Sequence, residues 1–69
     1  MSEAVRFAIL DVDSGNAVSF FDSELEAETA LRRTVQEMPE ERDRLMLVSY
    51  DKLGDALRAV LASRLPALT

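Results

Sequence analysis

Cysteine, histidine and tryptophan are all missing from these 69 residues. Without cysteine no disulfide can staple a small fold, and no thiolate can ligate metal or act as a nucleophile. Without histidine the commonest general base and metal ligand is gone. Lysine occurs once, at Lys52, which leaves little for neutralising a phosphoryl group. No apolar run approaches the ~18 residues of a membrane span. The opening MSEAVRFAIL carries Glu3 where a signal peptide wants positive charge, and Arg6 interrupts its apolar run. These features predict a cytoplasmic chain. Glycine and proline occur twice each, so the few strong breaks are easy to place.

Carboxylates, by contrast, are abundant. The chain carries 13 Asp and Glu against 8 Lys and Arg, for a net charge of −5. Residues 22–43 account for that whole excess: Asp22, Glu24, Glu26, Glu28, Glu37, Glu40, Glu41 and Asp43 face only Arg32, Arg33 and Arg42. Nucleic acid repels such a surface, because binding needs a basic footprint to release counterions. An anionic membrane repels it as well. Seven Arg against one Lys, with much Ala and Leu, is the composition of a GC-rich bacterial genome.

Length predicts a single domain over residues 1–69, too short for two cores. A chain of this size buries only about 60% of its unfolded surface. A second copy of the chain is a common source of the missing burial.

Residues 5–12, VRFAILDV, and 17–21, AVSFF, are rich in β-formers with partial alternation. Between them Asp13-Ser14-Gly15-Asn16 has turn chemistry, since Gly and Asn tolerate positive φ. With Ser14 and Gly15 central, Ile9 pairs Phe20 and Asp11 pairs Val18. One face then carries Phe7, Ile9, Val18 and Phe20, and the other Ala8, Leu10, Val12 and Phe21. A helix follows, with Ser23 as N-cap and Glu26 completing a capping box. Ala27, Ala30, Leu31, Val35 (or Thr34) and Met38 form its apolar stripe. Glu28 and Arg32 support it as an i,i+4 pair, and Pro39 ends it near Glu37. The charged PEERDR then leads to LMLVSY at 45–50, the most hydrophobic run, expected in the sheet centre.

DKLGD reads as a turn. The tail ALRAVLASRLPALT is open to two readings. Leu53, Ala56, Leu57, Val60, Leu61 and Leu65 fit a helical stripe, yet the segment also fits a fourth strand followed by a short helix after Ala62.

The segments AILDVDSGNAVSFFDSELEAETALRRTV and LVSYDKLGDALRAVL resemble a family of small bacterial proteins of about this length, for which no activity is established. Their pattern is a strand, an Asp-x-x-Ser/Thr-Gly-Asn turn, a strand, an acidic helix start, a Leu-rich strand and an Asp-x-x-Gly turn into a further strand. Ser63 stands where that pattern carries Gly. The resemblance implies an α+β fold, β-β-α-β-β with a small antiparallel sheet, one main helix and a short C-terminal helix. The alternative is β-β-α-β-α.

Two chemical readings of FAILDVD compete with a plain turn. In haloacid-dehalogenase-like phosphotransferases an Asp-x-Asp follows an apolar strand, its first Asp attacking phosphorus and its second acting as acid. That chemistry also needs Lys, further acids and Mg²⁺ on a far longer chain. An EF-hand loop counted from Asp11 puts Gly15 at position 5 instead of 6 and replaces the flanking helices with strands. The turn explains every residue of the motif, Asp13 and Asn16 flanking it and Asp11 ending the strand near solvent. The serines have no base beside them in the sequence, so no triad is supported. Arg32 and Arg33 read as solvated or ion-paired, Tyr50 as half-buried packing, and Met38 and Met46 as core filler.

The expectation is therefore a non-catalytic interaction domain that forms a homodimer, with no cofactor, no metal and no catalytic residues. Its interface candidates are Leu10, Val12, Phe21, Met46 and Val48, left over once one helix has covered one sheet face. The alternative is an acidic regulatory subunit, antitoxin-like or a nucleic-acid mimic, which binds a basic protein partner through the acidic helix and loop.

Overall fold

Four strands and one helix emerge from these patterns in a computed structural model, which describes residues 3–65. β1 (Arg6–Asp11) and β2 (Ala17–Phe21) form a hairpin, and α1 (Glu24–Glu37) follows. A 3-10 turn (Pro39–Asp43) then leads to β3 (Leu45–Tyr50), β4 (Ala56–Leu61) and a last 3-10 turn (Ala62–Arg64). The sheet is antiparallel throughout, in the order β2-β1-β3-β4. The fold is thus α+β with the expected order of strands and helix. β3 lies in the interior of the sheet, as its hydrophobicity demands.

The ambiguous tail resolves into β4, so the β-β-α-β-α alternative does not hold. Its helical periodicity loses to backbone pairing, because β3 would otherwise leave a row of N–H and C=O groups unpaired beside the most apolar strand. Leu53, the first member of the imagined stripe, sits exposed in the β3–β4 turn instead. After Ala62 the chain makes a single 3-10 turn, not an α-helix, among the described residues. Residues 66–69, which the tail reading included, lie outside them.

α1 begins where its cap dictates. The Ser23 hydroxyl accepts the Glu26 N–H at 3.4 Å, and Glu24 and Glu26 occupy the first turn, where the helix dipole favours acids. It ends at Met38, whose N–H reaches Thr34 O at 2.8 Å just before Pro39. Glu28 and Arg32 pair at 3.4 Å as expected. The expected stripe holds over Ala27, Ala30, Leu31 and Val35, which pack on the sheet. Met38 does not join it: as the C-cap residue it has left the helical path, and it is exposed. The charged connection after it is the Pro39–Asp43 turn rather than an irregular loop, with proline at its first positions.

The core lies between α1 and one sheet face. Phe7, Ile9, Leu45 and Leu47 project to that side and meet Ala27 and Leu31. Leu31 is the largest side chain that is wholly buried.

The hairpin differs from its expected register by one residue. Phe7 pairs Phe21, Ala8 pairs Phe20 and Ile9 pairs Ser19, after which a bulge lets Leu10 pair Ala17. Because successive strand residues alternate faces, a one-residue slip turns β2 over. Phe21, expected on the open side, therefore packs against the helix-side core. Phe20 and Val18, expected in the core, stand 61% and 62% exposed.

Two outcomes follow from this packing. Leu31→Ala should cost about 2–5 kcal/mol, enough to leave a domain this small largely unfolded in a urea titration. Ser23→Ala should cost about 1 kcal/mol and lower the melting temperature by several degrees; a neutral Ser23→Ala beside a costly Asp22→Ala would move the helix start upstream.

Candidate functional site

The Asp-Val-Asp motif closes a loop. The Asp11 N–H donates to Asn16 O at 2.9 Å, and the Gly15 N–H donates to Asp11 O at 2.7 Å. Residues 12–15 span the turn, with Gly15 at φ 73°, where a Cβ would be strained. The Asp11 carboxylate accepts the Asp13 N–H at 2.9 Å, an Asx turn. Asp13 Oδ2 accepts the Arg44 Nε–H at 3.0 Å, and Arg44 Nη1 lies 3.8 Å from Glu41 Oε1. The turn is thus four residues long and organised by Asp11, not the two-residue turn flanked by Asp13 and Asn16. That difference moves the pairing by two residues and keeps each side chain on its face; the bulge between Ile9 and Leu10 supplies the odd residue that turns β2 over.

The β3–β4 turn reuses the device. Asp51 Oδ1 accepts the N–H groups of both Leu53 and Asp55 at 2.9 Å, and Gly54 takes φ 87°. In these turns the carboxylates of Asp11, Asp13 and Asp51 serve backbone amides or an arginine. Among the described residues no group of three or more His, Cys, Asp or Glu side chains is placed to hold a metal ion.

What the fold leaves unused is the second face of the sheet. The pairing places Ala8 beside Phe20 and Val48, Leu10 beside Met46, and Met46 beside Leu61 on the side away from α1. Ala8 and Val48 are buried yet lie outside the helix-side core, so the larger side chains of this same face bury them. Leu10, Met46, Tyr50 and Leu61 are half-buried with no helix laid over them among the described residues, and Phe20 is largely exposed. Arg6 is the one charged strand residue on this face, and its guanidinium carbon stands 5.9 Å from the centre of the Phe20 ring. That distance suits a cation–π contact. A groove of about 550 Å³, lined by Arg6, Phe20, Asp22, Tyr50, Asp51 and Lys52 among others, opens at this end of the sheet.

Of the five interface candidates, three meet there: Leu10, Met46 and Val48 form its centre. Val12 lies at the rim, where its N–H donates to Arg44 O at 2.7 Å and extends the β1–β3 register beyond the strand. Phe21 is not part of the face, for the reason given above; Phe20 takes its place. Leu61 also lies on the face, though its segment reads equally as helix or strand, and so does Arg6, which no local pattern ties to Phe20.

No family model matches the chain, and neither the curated proteins nor the solved structures contain a match. No helix among the described residues is long and apolar enough to cross a membrane.

Divalent metal should leave the protein unchanged, since the turn carboxylates already accept N–H groups. Ca²⁺ or Mg²⁺ at millimolar concentration should not move the melting temperature. A rise of several degrees that Asp11→Asn abolishes would mean that the loop is a metal site.

Proposed function

We propose that the chain is a small non-catalytic interaction module that pairs with a second copy of itself through the open sheet face. The observation that carries this reading is the apolar surface of Leu10, Met46, Leu61 and Phe20 around the buried Val48, broken by one charge at its edge. Soluble proteins seldom keep such a patch without a use.

Electrostatics favours a second copy as the occupant. Each chain carries −5, and apart from Asp11 at the end of β1 the acids sit on α1, the 3-10 turn after it and the segments outside the strands. Packing two open faces together points both helices outward and keeps the acidic surfaces apart. The two sheets would stack about 10 Å apart in an aligned sandwich. A basic partner finds no carboxylate on the strands of this face.

The acidic surface supports a second reading, a regulatory subunit that binds a basic protein through α1 and the turn after it. Glu24, Glu26, Glu40 and Asp43 are all exposed there. Such binding would weaken steeply with salt, whereas apolar pairing would not.

Light scattering across a micromolar concentration series should show a species of twice the chain mass that persists at about 1 M salt, where the Debye length is about 3 Å. Leu10→Lys and Phe20→Lys should dissociate it while keeping the fold, and Phe21→Lys should instead unfold the chain. A well-folded strict monomer would overturn the reading.

A further inference from the structure

Side chains on the open face differ in size from row to row, and the pattern constrains how two copies can meet on it. Two neighbouring rows run across the four strands there. Phe20, Ala8, Val48 and Ala59 form one, and Ala17, Leu10, Met46 and Leu61 the other. On the central strands Ala8 and Val48 are buried, while the larger Leu10 and Met46 of the adjoining row are half-buried. At the edges Phe20 is followed along β2 by the small, exposed Ala17, and Leu61 along β4 by the small, exposed Ala59. Each strand thus sets one large residue beside a smaller one along its length.

We propose that two copies pair about a two-fold axis that runs across the strands at the level of Ile9 and Leu47, between the two rows. The inference rests on the open-face pairing and fixes its geometry. An aligned sandwich leaves the axis two directions, along the strands or across them. An axis along the strands, between β1 and β3, exchanges those two strands at the same level. Leu10 then meets the partner's Met46, and Ala8 meets the partner's Val48. Large side chains hold the small ones apart, which leaves voids and forfeits contacts. An axis across the strands lays each strand over its own counterpart with the direction reversed. Centred between the rows, it puts Leu10 over the partner's Ala8, Met46 over the partner's Val48, Phe20 over the partner's Ala17 and Leu61 over the partner's Ala59. Every contact is then large on small, the arrangement in which facing layers interdigitate. Centring the axis on either row would set each residue on its own copy and restore the mismatch.

Charge favours the same axis. Arg6 is the one charged strand residue on this face, and it lies at one end of β1, opposite Tyr50. An axis along the strands brings both guanidinium groups to one end of the sandwich, on neighbouring strand positions. The axis across the strands sends them to opposite ends, each toward the partner's Val12.

The chain has no cysteine, so a spin label on a single introduced cysteine reports one position. Lys52 and Ser14 are exposed in the turns at opposite ends of the sheet. Dipolar EPR on labelled Lys52→Cys should give about 30 Å between the two copies, and an equimolar mixture with labelled Ser14→Cys should add a distance of about 15 Å, from the strand rise and sheet spacing. An axis along the strands gives the reverse, about 15 Å between equivalent labels and about 30 Å in the mixture. Ala17→Phe should weaken the dimer about tenfold in sedimentation equilibrium by setting bulk on bulk. Adding Phe20→Ala to the same chain should restore it, because the two positions face each other between copies. Equivalent Lys52 labels about 15 Å apart, an Ala17→Phe dimer of unchanged strength, or no rescue by Phe20→Ala overturns this axis and leaves the pairing standing. A folded monomer at all concentrations overturns the pairing and the axis together.

Discussion

A four-stranded sheet has two faces, and the described residues of this chain offer one α-helix with which to cover them. Phe7, Ile9, Leu45 and Leu47 take the covered side with Ala27 and Leu31, and that contact is what holds the strands and α1 together. Ala8, Leu10, Met46, Val48 and Leu61 are then committed to the other side, because a strand cannot direct neighbouring residues the same way. Of these residues Ala8 and Val48 are buried and cannot be traded for polar ones without loss. The uncovered face is therefore a by-product of the core and, on our reading, the working surface as well.

The turns decide how that surface is composed. Asp11 spends its carboxylate on the Asp13 N–H and its backbone on Asn16 and Gly15, which lengthens the β1–β2 turn to four residues. The bulge after Ile9 then sets the final register of β2. One consequence is that Phe21, not Phe20, completes the core, and Phe20 stands beside Arg6 on the open face. A motif that looks like reaction chemistry thus builds the turn, and the bulge beyond it chooses which aromatic ring is presented.

Charge is distributed around the same plan. The acids lie on α1, the following 3-10 turn and the loops, and the strands carry few. Such segregation keeps like charges apart when sheet surfaces approach, and it leaves the helix side strongly acidic. The Arg44 contacts to Asp13 and Glu41 are exposed, so they hold the loop and turn in place rather than contribute much stability.

The sequence by itself determined the elements whose signals are local. The Ser23 cap, the stripe of Ala27 and Leu31, the stop at Pro39 and the alternation of LMLVSY each depend on neighbours within a turn or two, and each is found where it reads. The candidate face was half legible for the same reason: Leu10, Met46 and Val48 follow from strand alternation once one face is assigned to the helix. Tertiary structure alone decided the remainder. Helical periodicity in residues 53–65 gave way to β4 because β3 needed a second backbone partner, a demand that no local window contains. Likewise, the choice between Phe20 and Phe21 rested on a bulge. In a sheet of period two, a single residue there exchanges the buried face for the exposed one.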